Sequence, residues 1–306
     1  MTTRGALAAC GPLGNPIRGI TRGEFTAFQR LIQNEAGIFL SDVKKALLVS
    51  RLTRRLRDLG LATFGAYLDR VREDEGERVR MVDSICTNET QFFREPRQFA
   101  FLEEHLIPSW TSAADAGLRP RRVRAWSAAC STGEEPYSLA MVLLHHLPPA
   151  AGWQVEILAS DLSTRALERA AAAVWPIDRS SHIPVRYLKQ FMLRGVGPQG
   201  GRMAAGNAIR SAVRFQRLNL VDDSCALEAG FDVALCRNVL IYFRAETKAR
   251  VLQRLTRCLA PGGHLFLGHA ECVTGLVSGL CNVGPNVYTR AEDAAGPLSS
   301  DGSARR

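Results

Sequence analysis

Arg124-Ala-Trp-Ser-Ala-Ala-Cys-Ser-Thr-Gly-Glu-Glu-Pro-Tyr-Ser138 decides how the rest of this chain is read. Residues 123–129 carry few charges and end in small side chains, which predicts a short buried strand. Cys130 to Gly133 is a tight turn of small residues. From Glu134 to His146 apolar residues return at helical spacing, Leu139, Val142 and Leu143 among them. Pro136 falls in the first helical turn, where a missing N–H costs nothing. Strand, tight turn and helix N-terminus in that order make a nucleotide-sized crevice at the carboxyl edge of an open α/β sheet. The turn has one glycine, Gly133, and lacks the G-x-G-x-x-G pattern of a dinucleotide site. Pyrophosphate favours close backbone approach and a positive helix end, whereas Glu134 and Glu135 put two carboxylates there. A cationic or hydroxyl-rich ligand suits such a turn. An ordinary buried βα turn with two surface acids accounts for the same residues.

The 306 residues allow one large domain or a domain plus an appendage. Hydrophobic residues at 46% and charged residues at 23% fit a globular chain. No apolar run is long enough to span a bilayer, so no membrane insertion is expected. Residues 1–19 lack the apolar core of a signal peptide and read as a disordered leader. Residues 291–306, polar and small, read as a disordered tail. The eight cysteines are scattered, with no C-x-x-C pair and no metal-ligand spacing against histidine. They read as reduced thiols of a cytoplasmic protein without a metal. A net charge of +9 admits nucleic acid, an anionic surface or an acidic protein partner, and its placement decides among them.

Residues 20–86 read as a small all-helical domain. Phe25, Phe28, Leu31 and Ile32 mark one amphipathic helix. Ser41-Asp42 offers an N-cap to a second, in which Leu48, Leu52, Leu56 and Leu59 form one stripe and Gly60 ends it. Six basic residues and no acidic one lie between Lys44 and Arg57. At 3.6 residues per turn Lys44, Arg51 and Arg55 share a face with Arg54 beside them. That face is a candidate docking surface, or a merely solvated one. Phe64–Leu68 and Val79–Ile85 suggest two further short helices.

Residues 87–290 carry the α/β pattern. Asn88, Thr90 and Arg94 are polar groups set beside Phe92 and Phe93, as in a site wall or a helix cap. A helix is predicted over Phe99–Ile107, and Thr111–Arg122 reads as a surface connection. A second strand, Trp153–Ala159, ends in Ser160-Asp161. An acid there is placed to hold the two hydroxyls of a ribose or to N-cap the helix predicted over Thr164–Ala173. Residues 176–212, broken by glycines, read as a small inserted subdomain. Val213–Phe215 rejoins the sheet and leads to Asn219-Leu220. Val233–Cys236 is a buried strand with Arg237-Asn238 at its carboxyl end and Tyr242 within reach. A helix over Glu246–Leu259, a turn over Ala260–Gly263 and strands at His264–Gly268 and Asn286–Thr289 complete the pattern.

Together Asn88–Arg94, Ser127–Ser138 and Cys236-Arg-Asn-Val-Leu-Ile-Tyr-Phe243 resemble the chemotaxis receptor methyltransferases, the CheR family. Ala159-Ser-Asp161, Arg217-Leu-Asn-Leu220 and Pro261-Gly-Gly through Gly268-His-Ala-Glu271 extend the similarity over residues 20–290. The resemblance implies an S-adenosylmethionine (SAM) dependent, class I, Rossmann-like methyltransferase sheet. A small all-helical N-terminal domain would precede it, and a small β-subdomain would be inserted in it. It implies methyl esterification of glutamates on the cytoplasmic helical region of chemoreceptors, leaving S-adenosylhomocysteine (SAH). Cofactor contacts would be Asn88, Thr90, Arg94, Glu134, Asp161, Asn219, Leu220, Arg237 and Asn238. SAM carries a sulfonium and an ammonium but no phosphate, in keeping with the acidic turn.

A glutamate is already ionised at neutral pH, so its methylation needs no strong general base, and the chain shows no nucleophile–base pair. Catalysis then rests on alignment and exclusion of water. Arg94 and Tyr242 are the candidates to position the carboxylate. Arg94 equally suits the methionyl carboxylate, and Tyr242 equally suits packing. Lys44, Arg51, Arg54 and Arg55 would face the receptor, with the enzyme a monomer. A nucleic-acid methyltransferase would show Asn/Asp-Pro-Pro-aromatic where this chain has Arg237-Asn-Val-Leu, so no nucleic-acid partner is expected. A SAM-binding module without catalysis is the other alternative, and intact Glu134, Asp161 and Arg94 argue against it.

Overall fold

In a computed structural model the chain divides into two compact units, with the boundary between Thr87 and Asn88. The structure describes residues 17–223, 228–271, 273 and 276–293. Residues 1–16 of the expected leader and 294–306 of the expected tail lie outside the described residues.

Among the described residues the first unit holds four α-helices, α1 (Arg22–Ala36), α2 (Lys45–Asp58), α3 (Phe64–Glu73) and α4 (Glu75–Ile85). A capping box starts α1: the Thr21 hydroxyl accepts from Glu24 N at 3.2 Å, and the Glu24 carboxylate accepts from Thr21 N at 2.7 Å. Gly37, at φ +70°, ends it in the left-handed conformation that glycine tolerates. Ser41 makes no capping bond; a 3₁₀ turn over Asp42–Lys44 leads into α2 instead. Leu48, Leu52 and Leu56 are buried with Phe28, Tyr67 and Val71, while Leu59 is exposed.

The basic face of α2 is not a free face. Arg55 Nε and Nη2 donate to the buried Glu77 carboxylate at 2.9 and 2.6 Å, and Arg80 Nε and the Tyr67 hydroxyl donate to the same carboxylate. Burial raises the Glu77 pKa, but these donors outweigh it and hold the carboxyl below its usual range. Arg51 donates to the carbonyls of Ile85 and Cys86 and to the Thr87 hydroxyl, closing the C-terminal end of α4. The expected surface therefore loses Arg51 and Arg55 to internal work. Arg54 is exposed and Lys44 half-buried.

The second unit opens with one long helical run, α5 (Pro96–Phe101), a π-helical turn (Leu102–Leu106) and α6 (Ile107–Asp115). Residues 111–115, expected as a connection, thus belong to a helix. A seven-stranded sheet follows, in the order β6-β2-β1-β7-β8-β10-β9. Its members are β1 (Arg122–Ala128), β2 (Gln154–Asp161), β6 (Val213–Arg217), β7 (Phe231–Cys236), β8 (Leu259–Leu267), β9 (Leu280–Gly284) and β10 (Val287–Arg290). The first five in that order run parallel, and β10 pairs antiparallel with both β8 and β9. Residues Ala260–Gly263, expected as a turn, are instead the irregular start of β8.

Helix α7 (Glu134–His146) is buried along most of its length, as is usual beside a parallel sheet covered on both faces. After β2 come α8 (Thr164–Ala172) and a small antiparallel sheet, β3-β5-β4, from Val174–Pro176, Arg202–Ala205 and Met192–Arg194. Helix α9 (Val185–Phe191) lies within this insertion, α10 (Asn207–Ser211) leads back to β6, and α11 (Ala245–Cys258) precedes β8.

Candidate functional site

Strand register brings several of the singled-out residues to one edge of the sheet. Ala128 of β1 lies beside Ser160 of β2, and Cys236 of β7 beside Leu267 of β8. The Cys130–Gly133 turn, Asp161, Arg237-Asn238 and Gly268 therefore all leave the carboxyl ends of adjoining strands. Leu218 N donates to the Asp161 carbonyl at 3.0 Å, which sets Asn219 and Leu220 alongside as well.

The turn after β1 is held open by unusual backbone. Ala129, Ser131 and Gly133 have φ of +64°, +50° and +96°. A Cβ on Gly133 would also lie 3.0 Å from Ala170 Cβ, so this glycine serves close packing of α8 and not a phosphate. Asp161 fastens the turn, its Oδ2 accepting from Ser131 N and its Oδ1 from Ser163 N, each at 2.8 Å. The cap of α8 is Ser163, whose hydroxyl accepts from Ala166 N. Asp161 is therefore not the N-cap.

Neither acid is on the surface: Glu134 is 3% exposed and Glu135 8%. They differ in their partners. Glu135 accepts from Arg237 Nε at 2.7 Å and from the Ser127 hydroxyl at 2.6 Å. Glu134 accepts from the Thr132 hydroxyl at 2.6 Å, and no cation pairs with it among the described residues. Next to it, the Ser131 hydroxyl is buried without a hydrogen-bond partner. A buried anionic group and an unsatisfied hydroxyl at one turn fit a ligand that brings positive charge and polar hydrogens. SAM meets that description.

Arg237 is placed below the turn and not across it. Besides Glu135, its Nη1 donates to the Arg94 carbonyl at 2.6 Å and to Gln98 Oε1 at 3.1 Å, and its guanidinium lies 5.5 Å from the Phe99 ring centre. The structure thus gives Arg237 the bonds of a scaffold residue. Arg94 is half-buried, and its Nη1 donates to the Glu89 carbonyl at 3.2 Å. Thr90 accepts at its carbonyl from Arg179, and Asn88 is half-buried just before it. Tyr242 ends a 3₁₀ turn over Leu240–Tyr242. Burial pushes the Cys130 and Cys236 thiols well above their usual range, so neither supplies a thiolate.

One residue carries a larger share of this site than its sequence suggested. Glu271 is buried, and its carboxylate accepts four main-chain N–H groups, from Gly268, Asn238, Val239 and Leu240. Burial pushes its pKa up against the pull of those donors. The only sequence signal was its place at the end of Gly268-His-Ala-Glu271. Among the described residues no cluster of three or more His, Cys, Asp or Glu is placed to hold a metal ion. No described helix is long and apolar enough to cross a membrane.

Comparison with known proteins gives the geometry a context. Residues 88–285 match the model of CheR methyltransferase, SAM binding domain, and residues 23–86 that of CheR methyltransferase, all-alpha domain. Chemotaxis protein methyltransferase 2 of Pseudomonas aeruginosa is 36% identical over 282 residues, covering 91% of this chain and 96% of that one. The chemotaxis protein methyltransferases of Escherichia coli and Salmonella typhimurium are each 36% identical, over 277 and 279 residues, covering 90% of this chain and 93% of theirs.

Proposed function

The chain belongs to the CheR methyltransferase family, and on that premise we propose that it forms methyl esters on glutamate side chains in the helical cytoplasmic region of chemoreceptors. SAM would supply an electrophilic methyl group on a positively charged sulfur. A glutamate oxygen would take that methyl as the carbon–sulfur electron pair passes to sulfur, with SAH as the product, so that no proton need move.

The observation that carries this reading is the buried Glu134, which has a hydroxyl partner and, among the described residues, no cation, whereas Glu135 is neutralised by Arg237. Of the two acids, Glu134 is therefore the one to meet the ligand's positive charge. Asp161 would take the ribose hydroxyls, with Asn88, Thr90, Asn219, Leu220 and Asn238 lining the rest of the cofactor site. Arg237 would contribute through Glu135 and the Arg94 main chain. Arg94 and Tyr242 would orient the attacking carboxylate. A paired, planar set of N–H donors suits Arg94 to that task.

The deciding experiment is transfer of a labelled methyl group from SAM to receptor-containing membranes. Label that mild base releases as methanol supports the ester. Base-stable label, or label on nucleic acid, sinks the reading. Within it, Asp161→Asn should weaken SAH binding by about tenfold to a hundredfold, the cost of disturbing hydrogen bonds to a charged group. It should also lower the melting midpoint, because Ser131 N and Ser163 N compete for one remaining carboxyl-type oxygen. Calorimetry that finds wild-type SAH affinity in the folded variant removes Asp161 from the cofactor site.

Receptor docking would use the exposed Arg54 of α2, with the half-buried Lys44 just before the helix, against the negative field of a glutamate-bearing helical bundle. Such charges steer encounter and are screened over about 8 Å at physiological salt. Arg54→Glu should raise the receptor concentration for half-maximal rate by about threefold and flatten its salt dependence, with SAH affinity unchanged. Indifference to both the substitution and salt would return this face to plain solvation.

A further inference from the structure

We infer that Glu271 is a positioning residue for methyl transfer, its carboxylate gathering the main-chain N–H groups of Asn238, Val239 and Leu240 so that their loop is held in one shape at the crevice. The inference rests on the assignment of Asn238 and Tyr242 made above and adds the group that sets them.

Each carboxylate oxygen takes two donors. Oε2 accepts from Gly268 N at 2.7 Å and Asn238 N at 2.9 Å; Oε1 accepts from Val239 N at 2.8 Å and Leu240 N at 2.7 Å. Three successive N–H groups directed at one anion form a concave backbone nest. Leu240 N also opens the Leu240–Tyr242 turn, where it has no acceptor of its own. Asn238 stands in the left-handed region at φ +60°. A non-glycine residue stays there when its surroundings over-determine it. Here the anion bonded to its N–H does so.

Gly268 completes the fit. A Cβ at that position would lie 2.8 Å from Asn238 N, 2.7 Å from Asn238 Nδ2 and 2.8 Å from Glu271 Oε2, in the middle of the bonded group. Glycine is thus required by contact between the strand end and the loop. Carboxylate, glycine and left-handed asparagine make one unit, built on β8 and bearing on the loop after β7.

The test uses two independent lesions of that unit, Glu271→Gln and Gly268→Ala. An amide offers one acceptor oxygen and turns its own N–H groups toward two of the four donors; a methyl on Gly268 wedges the loop off an intact carboxylate. Hydrogen exchange across residues 236–243 should accelerate at least about tenfold in both, with residues 134–146 and 154–161 unchanged. SAH affinity should fall about tenfold or more, equivalent to about one hydrogen bond to a charged group. Faster exchange at 236–243 with wild-type SAH affinity and wild-type turnover would make Glu271 a staple of the fold and nothing more. So would loss of protection spread evenly over β1, β2 and β7. Wild-type protein that binds no SAH overturns the cofactor reading and this inference with it. Wild-type binding with undiminished binding in both variants overturns this inference alone.

Discussion

Replacing Arg94 by alanine should lower methyl-transfer turnover by about a hundredfold to a thousandfold while SAH affinity changes by less than about threefold. The expected size is that of losing a preorganised donor that meets the reacting group in the transition state. The main chain of Arg94 is fixed by the 2.6 Å bond from Arg237, whereas its side chain donates to the Glu89 carbonyl alone among the described contacts. Truncation therefore removes a guanidinium without undoing the wall that carries it. Arg94→Lys should recover only part of the loss, because an ammonium keeps the charge but not the fork. Tyr242→Phe is the companion substitution, and a change within about twofold would assign Tyr242 to packing. Equal falls in SAH affinity and turnover for Arg94→Ala would make Arg94 a cofactor contact and not a carboxylate guide.

The largest stability change is expected at Arg237. Removing one partner of a buried ion pair costs about 3–5 kcal/mol, since the other charge is left buried and unmatched. In Arg237→Ala the nearest such charge is Glu135, with Glu95 Oε2 also losing its ion-pair partner at 3.9 Å, and the Arg94 carbonyl and Gln98 Oε1 lose a donor at the same stroke. Chemical denaturation should show the loss directly. Glu135→Gln on the Arg237→Ala background should restore part of it, because the stranded group is then neutral. A loss below about 1 kcal/mol would mean that water reaches Glu135 and that the pair is no scaffold.

Local punctuation made the centre of the fold legible. Gly133 and Pro136 bracket the start of α7, and the helix occupies the predicted residues, Glu134 to His146. Strands β1, β2 and β7 were readable because each carries a short uncharged stretch toward its carboxyl end, Ala125–Ala128, Ile157–Ser160 and Val233–Cys236, as parallel strands buried on both faces do. Helix α6 was not, for two reasons. Thr111-Ser112-Ala113-Ala114 looks like connection although alanine is the best helix former. The π-helical turn at Leu102–Leu106 also offsets the apolar stripe, so that no single 3.6-residue period runs through it. Strand β9 was not predicted; it exists through its antiparallel pairing with β10, the strand expected at Asn286–Thr289.

The placement of the candidate residues was more legible than their wiring. Asp161, the acidic turn and Arg237-Asn238 follow from strand ends and motif. Which acid is neutralised depends on Arg237, 102 positions from Glu135. A helical wheel shows Arg51 and Arg55 on one face of α2 but not Glu77, which lies on another helix and pairs with Arg55. Glu271 was hidden for a plainer reason: its partners are backbone amides, which every residue but proline possesses.

The inserted sheet joins the main fold through a narrow neck. The chain departs at Ala173 and returns at Ala205-Gly206, where Ala205 N donates to the Ala173 carbonyl at 3.0 Å. Two chain ends that close together are what a graft needs, and an exchange of residues 174–205 between relatives would disturb little backbone. The side chains set the terms of such a graft. Trp175, Ile183, Tyr187, Phe191 and Met203 sit in the same apolar core as Phe92, Phe93 and Tyr137. Trp175 lies edge-on to Phe92 and Tyr137, and Tyr187 stacks on Phe93. A donor segment would have to bring its own counterpart of that aromatic underside. Substitutions on the outer surface of this piece accordingly disturb less packing than substitutions on the side facing the Phe92-Phe93 wall.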